Sequence, residues 1–138
     1  MKNAIDILLI EDDADDIELL EEALKSNGVN YFLKAINEGD QVSAYLETLG
    51  RNLPDIIILD FNLPKLHGKD VLSNIKASAL FKDVPLIVLT TSSLKEDILF
   101  AENMGARHFI TKPTSLSDFT KAVSLIVESA NESGVFIR

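Results

Sequence analysis

The sequence predicts an α/β fold, a doubly wound parallel sheet in a single domain. Three observations carry the prediction: short apolar runs recur five times, segments of helical period separate them, and each run is too short for a buried helix. Parallel neighbours need a crossover of a dozen or more residues, and the helices that supply it cover both faces of the sheet. Interior strands should then be apolar throughout, as Ile56-Ile57-Ile58-Leu59 is.

The first run, Ile5–Ile10, is a strand, and after it Ile17, Leu20 and Leu24 fall at i, i+3 and i+7 of a helix that Asn27-Gly28 stops. Tyr31–Ile36 is the second strand; Val42, Tyr45, Leu46 and Leu49 mark a second helix ended by Gly50. Ile56–Leu59 is the third strand, and Val71, Leu72 and Ile75 mark the helix after it. Residues 86–89 form the fourth strand, and Ser93 with Glu96 three positions on has the form of a capping box opening a fourth helix that ends near Gly105. His108–Thr111 is the fifth strand, followed by a helix carrying Leu116, Phe119, Val123 and Ile126. The expectation is one domain over residues 1–138, with a core of about residues 5–128, a C-terminal tail at 129–138 and no effector domain. Residues 134–138 are apolar and β-prone, and are expected to pack on their own domain or on a second protomer.

A chain of 138 residues can bury about two thirds of its surface without disulfide or metal staples. The absence of Cys removes thiol nucleophiles, thiolate zinc sites and iron–sulfur clusters, and two His are too few for a His-rich metal site. No run approaches a membrane span and no signal peptide opens the chain, so a cytoplasmic location is expected. A net charge of −9 and a pI near 4.6 argue against nucleic acid and anionic membranes as partners. That charge is local. Glu11, Asp12, Asp13, Asp15, Asp16, Glu18, Glu21 and Glu22 put −8 on residues 11–22, where no base stands.

Ligands of a doubly wound sheet bind beyond the carboxyl ends of the strands. Those ends carry Glu11-Asp12, Asp60, Thr90 and Lys112-Pro113. Carboxylates brought to about 4 Å repel by about 4 kcal/mol per pair at an effective dielectric near 20, so they must protonate or recruit a cation. An oxygen-only donor set favours hard Mg²⁺, or Mn²⁺, which completes its shell with water and phosphate oxygens. Such a site would suit phosphoryl transfer, with Lys112 pairing the phosphoryl group and one carboxylate attacking phosphorus. Asp60, alone at a central strand end, is the natural nucleophile. A hydrogen bond from Thr90 to the new phosphoryl oxygen would contribute about 1.5–3 kcal/mol.

Leu8-Leu9-Ile10-Glu11-Asp12-Asp13, Ile58-Leu59-Asp60-Phe61-Asn62-Leu63-Pro64, Leu89-Thr90-Thr91-Ser92 and Thr111-Lys112-Pro113 resemble the receiver domain of two-component response regulators, over about residues 5–128. The resemblance implies a flavodoxin-like (βα)5 sheet in strand order 2-1-3-4-5. It implies phosphorylation of Asp60 by a sensor histidine kinase or phosphotransfer protein, Mg²⁺ on Glu11, Asp12, Asp60 and the backbone carbonyl of Asn62, and a cis Lys112-Pro113 bond. The Leu-Thr-Thr-Ser, Thr-Lys-Pro and Asn-Leu-Pro-Lys wording is most similar to stand-alone receivers paired with phytochrome-type kinases. It further implies a switch through Thr90 and Phe109, with Phe109 where Tyr is frequent, and a downstream protein partner. The face of helix four, strand five and helix five commonly supports dimers in the family. Asn62 and Ser92 match positions that tune dephosphorylation, and Thr91 is larger than the residue usual after the switch Thr.

Plainer roles are assigned elsewhere. Asp13, Asp15 and Asp16 suit a helix N-terminus, Glu18, Glu21 and Glu22 a solvated face that also fits a phosphotransfer helix, and Phe119, Val123 and Ile126 the core. No register of the acidic run matches an EF-hand loop. A phosphatase with an aspartyl-phosphate intermediate would usually carry Asp at position 62, where Asn stands, and a flavin-binding relative would need a phosphate-cradling first loop rather than an acidic one. A pseudo-receiver that binds partners without phosphorylation would not need the set Asp12, Asp60, Thr90 and Lys112.

Overall fold

The five apolar runs become five strands in the computed structural model, which describes residues 3–132. They are β1 (Ile5–Ile10), β2 (Tyr31–Ile36), β3 (Ile56–Leu59), β4 (Leu86–Thr90) and β5 (His108–Thr111). Only β4 differs from expectation, running one residue further to include Thr90. All pairings are parallel and the order is β2-β1-β3-β4-β5, so the sheet is the flavodoxin-like one that the resemblance implied. The winding direction reverses between β1 and β3, which opens a crevice at their carboxyl ends.

Side-chain alternation divides the interior into two cores. Leu8, Ile10, Ile57, Leu59, Leu86 and Val88 face α2 (Val42–Leu49), α3 (Gly68–Ala77) and α4 (Lys95–Asn103), meeting Leu46, Leu72 and Ala101. Ile5, Ile7, Leu9, Ile56, Ile58, Ile87 and Leu89 face α1 (Ala14–Ser26) and α5 (Leu116–Asn131), meeting Leu20, Leu24, Phe119, Val123 and Ile126. No residue of β3 is more than 0% exposed, which is why its sequence is aliphatic throughout.

Helix ends follow local chemistry. Asp13 caps α1, its carboxylate accepting from the amides of Asp15 at 2.9 Å and Asp16 at 3.3 Å. Gly28 and Gly50 take positive φ after α1 and α2, at the stops the sequence suggests. The expected capping box at Ser93 does not form: α4 begins at Lys95 with Leu94 at its N-cap and no side-chain cap. Ser92 instead accepts from the Leu94 amide at 3.3 Å while donating to Asp97. Helix α5 continues to Asn131, three residues past the expected limit of the core. No peptide bond among the described residues is cis, so Lys112-Pro113 is trans, contrary to the implied cis form. Residues 134–138, expected to pack on this domain or a second protomer, lie outside the described residues. No helix among the described residues is long and apolar enough to cross a membrane.

Gly68 ties α3 to the loop after β3. Its amide donates to the Phe61 carbonyl at 3.0 Å, and a Cβ there would land on Phe61 Cα and the Asp60 carbonyl oxygen, both main-chain atoms that cannot swing aside. Gly68→Ala should therefore destabilise the fold by about 2–3 kcal/mol through overpacking. A lower urea midpoint at unchanged slope would show it, and an unchanged midpoint would mean that this loop yields freely.

Candidate functional site

The ladder hydrogen bonds of the sheet run one residue past the strands and fix the backbones of the residues that follow. The Glu11 amide donates to the Ile36 carbonyl at 3.0 Å, Asp60 to Ile10 at 3.0 Å and Lys112 to Thr90 at 2.7 Å. Three chain segments distant in sequence thus deliver two carboxylates and an ammonium to one crevice. Glu11 and Asp60 are each 3% exposed; Asp12 beside them is solvent-exposed. Carboxylate oxygens of Glu11, Asp12 and Asp60 lie within 4.8 Å of one another.

The Lys112 ammonium is held by three carboxylates: Glu11 at 2.7 Å, Asp16 at 2.7 Å and Asp60 at 2.9 Å. Asp60 also accepts the Asn62 amide at 3.0 Å on its other oxygen. Glu11 accepts the amides of Asp12 and Asp13 at 3.1 and 3.3 Å, which curls the loop after β1 around it. The Asn62 side-chain amide bridges to the loop after β4, donating to Thr91 Oγ1 at 3.0 Å and to Thr90 Oγ1 at 3.4 Å. Phe109 packs edge-on against Phe61 with ring centroids 5.9 Å apart, and Phe61 packs likewise on Phe100 at 6.4 Å.

Burial and proximity split the protonation states of the two buried acids. Burial raises the Glu11 carboxyl to about 7, against the pull of Lys112 and with the help of the neighbouring Asp60 charge. Burial would raise Asp60 as well, but the Asn62 amide, Lys112, the Glu11 proton and the Thr90 hydroxyl together hold it below the usual carboxylate range. Burial would lower Lys112, yet Asp16, Glu11 and Asp60 keep its ammonium well above the ordinary lysine value. Near neutrality Asp60 is thus the anion, Lys112 the cation and Glu11 the proton carrier between them.

Every residue proposed from the strand ends reaches this crevice or its wall. Glu11, Asp12, Asp60 and Lys112 converge, and Asn62, bonded through its amide to Asp60, reaches Thr90 and Thr91 on the loop after β4. Ser92 is one step removed, joined to Thr90 through its amide at 3.4 Å. Phe109 lies on the same sheet face as Val88, in the core beside α4 rather than in the crevice. Asp16 stands in the first turn of α1 as expected and, beyond that expectation, reaches Lys112. A run of eight acids with no base among them demands a counter-ion from elsewhere in the chain, which was the available signal. The ion pair of Lys69 with Asp97, joining α3 to α4, had no such signal. The carboxylate trio is an all-oxygen donor set of the size and charge that a hard divalent cation requires.

Known proteins resemble this chain in sequence and fold. The family description "Response regulator receiver domain" matches residues 7–124. Response regulator Rcp1 of Synechocystis is 35% identical over 121 residues, 85% of this chain and 82% of that protein. The Mn²⁺-bound crystal structure of Rcp1 superimposes with a TM-score of 0.77 at 34% identity, covering 88% of this chain and 91% of the other. The phosphorylated cyanobacterial phytochrome response regulator RcpA gives 0.81 at 35% identity, covering 91% and 92%.

The Glu11 proton generates a pH dependence. A cation needs the carboxylate, so below about 7 binding must first displace that proton and affinity falls; above it affinity is level. Titration calorimetry with Mg²⁺ in buffers of different ionisation heat should find proton release about one unit below this value and little about one unit above. Heats independent of buffer at both would refute the assignment. Without a cation the sign for stability is the reverse of the usual carboxylate: the folded state binds the extra proton between 4.5 and about 7, so Glu11's contribution is lost as pH rises through that window.

Proposed function

Because the chain belongs to the family of response regulator receiver domains, we propose that it is a phosphorylation-switched signalling module whose Asp60 accepts a phosphoryl group from a sensor histidine kinase or phosphotransfer protein. The observation that carries this is the pairing of Asp60, the ionised carboxylate at the end of the central strand β3, with Lys112 at 2.9 Å. An Asp60 oxygen attacks phosphorus as the bond from phosphorus to the donor's imidazole nitrogen breaks, and the electron pair leaves with the imidazole. Lys112 stays beside the new group and offsets the charge that Asp60 has gained.

Glu11, Asp12 and Asp60 would hold Mg²⁺ or Mn²⁺, the latter being the ion bound in the Rcp1 structure, and the Asn62 carbonyl would complete the protein's share of ligands. The bound ion would neutralise charge on the phosphoryl oxygens. Around it the chain's own residues divide the work. Thr90 donates to a phosphoryl oxygen, and the loop movement this favours lets Phe109 repack against Phe61 and Phe100. Asn62, Thr91 and Ser92 border the path of a hydrolytic water and set the lifetime of the phosphoryl group. The turnover is single and self-catalysed, which makes the protein a phosphoacceptor rather than an enzyme acting on a separate substrate.

The resemblance to Rcp1 and to the phytochrome response regulator RcpA supports a phytochrome-type kinase as the donor. The acidic face of α1 suits its docking. The α4, β5 and α5 face, adjoining Phe109, is the surface whose preference for a downstream protein or a second protomer would change. We assign one receiver domain to residues 1–138, acting in the cytoplasm.

The test is Mg²⁺-dependent labelling with acetyl phosphate. Labelling should be stoichiometric at most and should disappear both in Asp60→Asn and on chelation of Mg²⁺. A label that resists alkali and hydroxylamine, or one that persists in Asp60→Asn, would sink the site assignment.

A further inference from the structure

The Thr90 hydroxyl has one hydrogen to give and two lone pairs to offer. Both lone pairs have donors aimed at them, Asn62 Nδ2 and the Ser92 amide, each 3.4 Å away. The hydrogen is therefore left free to point elsewhere, and Thr90 is wholly buried, away from bulk solvent. Asn62 brings the two groups together, its amide donating to Asp60 Oδ1 at 3.0 Å and its side chain to Thr90 Oγ1 at 3.4 Å, so the Asp60 carboxylate is the acceptor at hand, and the Thr90 hydroxyl is among the groups that hold its carboxyl low.

One of the two donors is only as fixed as Ser92 itself. Ser92 Oγ donates to Asp97 Oδ2 at 2.5 Å and accepts from the Leu94 amide at 3.3 Å, while the Ser92 carbonyl accepts from Thr111 Oγ1 at 3.2 Å. Asp97 lies in the first turn of α4, 7% exposed, and is anchored from α3 by the Lys69 ammonium at 2.5 Å. Lys69 also sits 5.7 Å over the Phe100 ring. Asp97 thus joins two helices to the loop that carries Thr90.

We propose that Asp97 is a positioning residue for the phosphoacceptor reaction: by holding Ser92 it keeps a donor on the Thr90 oxygen and turns the Thr90 hydrogen toward the Asp60 carboxylate, where the oxygens of an incoming phosphoryl group accept it. The inference rests on Asp60 being the phosphoacceptor and adds a residue that acts on it through two others. With Ser92 released, the hydroxyl samples its three staggered wells and points at Asp60 about a third of the time. Asp97→Asn retains an oxygen for Ser92 and preserves the arrangement; Asp97→Ala does not.

The test is the initial rate of Asp60 labelling by acetyl phosphate at saturating Mg²⁺ in the full chain, with and without Thr90→Val. Asp97→Ala should lower the rate about threefold and Asp97→Asn should leave it near wild type. In the Thr90→Val background, where there is no hydroxyl to orient, Asp97→Ala should cause no further loss. An equal loss in both backgrounds would assign Asp97 a purely structural role and overturn the inference, as would an unchanged rate in Asp97→Ala. If that variant does not fold, Ser92→Ala removes the same bond from the other end and is read by the same two outcomes. Failure of the wild type to label overturns the phosphoacceptor assignment and this inference with it; normal labelling with an unmoved variant overturns the inference alone.

Discussion

Everything at the mouth of this sheet depends on one buried ammonium. Lys112 is enclosed by carboxylates from three different elements, and their combined charge exceeds its own. Three acids and one base leave a surplus of negative charge in a crevice of low dielectric, where repulsion is strong. The surplus is relieved in one of two ways: Glu11 takes up a proton, as its raised pKa of about 7 shows, or a divalent cation enters among Glu11, Asp12 and Asp60. The site is therefore built around charge exchange, and its geometry is fixed by the need to hold these groups close together.

That closeness comes from the sheet. Acids that repel one another cannot gather by side-chain attraction, so the backbone must place them. The ladder does this by extending past β1, β3 and β5, with Glu11, Asp60 and Lys112 each donating their amide to a neighbouring strand. Aliphatic burial on both faces of β3 then makes the placement rigid: moving Asp60 would mean dislodging Ile58 and Leu59, which are 0% exposed. Gly68 adds a close main-chain contact from α3 behind the same residue. Core stability and site geometry are consequently the same property in this fold.

Much of this was legible in the sequence, because period and punctuation are local. The run Ile56–Leu59 declares a strand buried on both faces, Gly50 a helix end, and Asp60 and Lys112 their positions at strand ends. The helix start after β4 was misread for a physical reason: Ser93 has the right spacing from Glu96, but the neighbouring hydroxyl of Ser92 has a stronger partner in Asp97, and the chain turns to satisfy that bond. Asp16 stands in the first turn of α1 as read, but its second role was not legible, because only the tertiary structure brings Lys112 within reach, 96 positions away. The Lys69–Asp97 pair is likewise a product of helix packing, invisible to any pattern within one helix.

Asp16 also resolves a difficulty in the chemistry. Glu11 and Asp60 are at once partners of Lys112 and two of the three carboxylates able to hold a cation. If these two were the only counter-charges to Lys112, cation entry would strip a buried ammonium of its partners, and removing one partner of a buried pair costs about 3–5 kcal/mol. Asp16 lies outside the trio and, with its side chain 31% exposed, carries little desolvation cost of its own. It can retain Lys112 at 2.7 Å while Glu11 and Asp60 turn to the ion. The lysine would then remain charged and in place beside Asp60, as the proposed phosphoryl transfer requires. The acidic run after β1 thus divides by position: Glu11 and Asp12 belong to the carboxylate trio that could hold a cation, Asp13 caps the helix, and Asp16 pairs with the lysine.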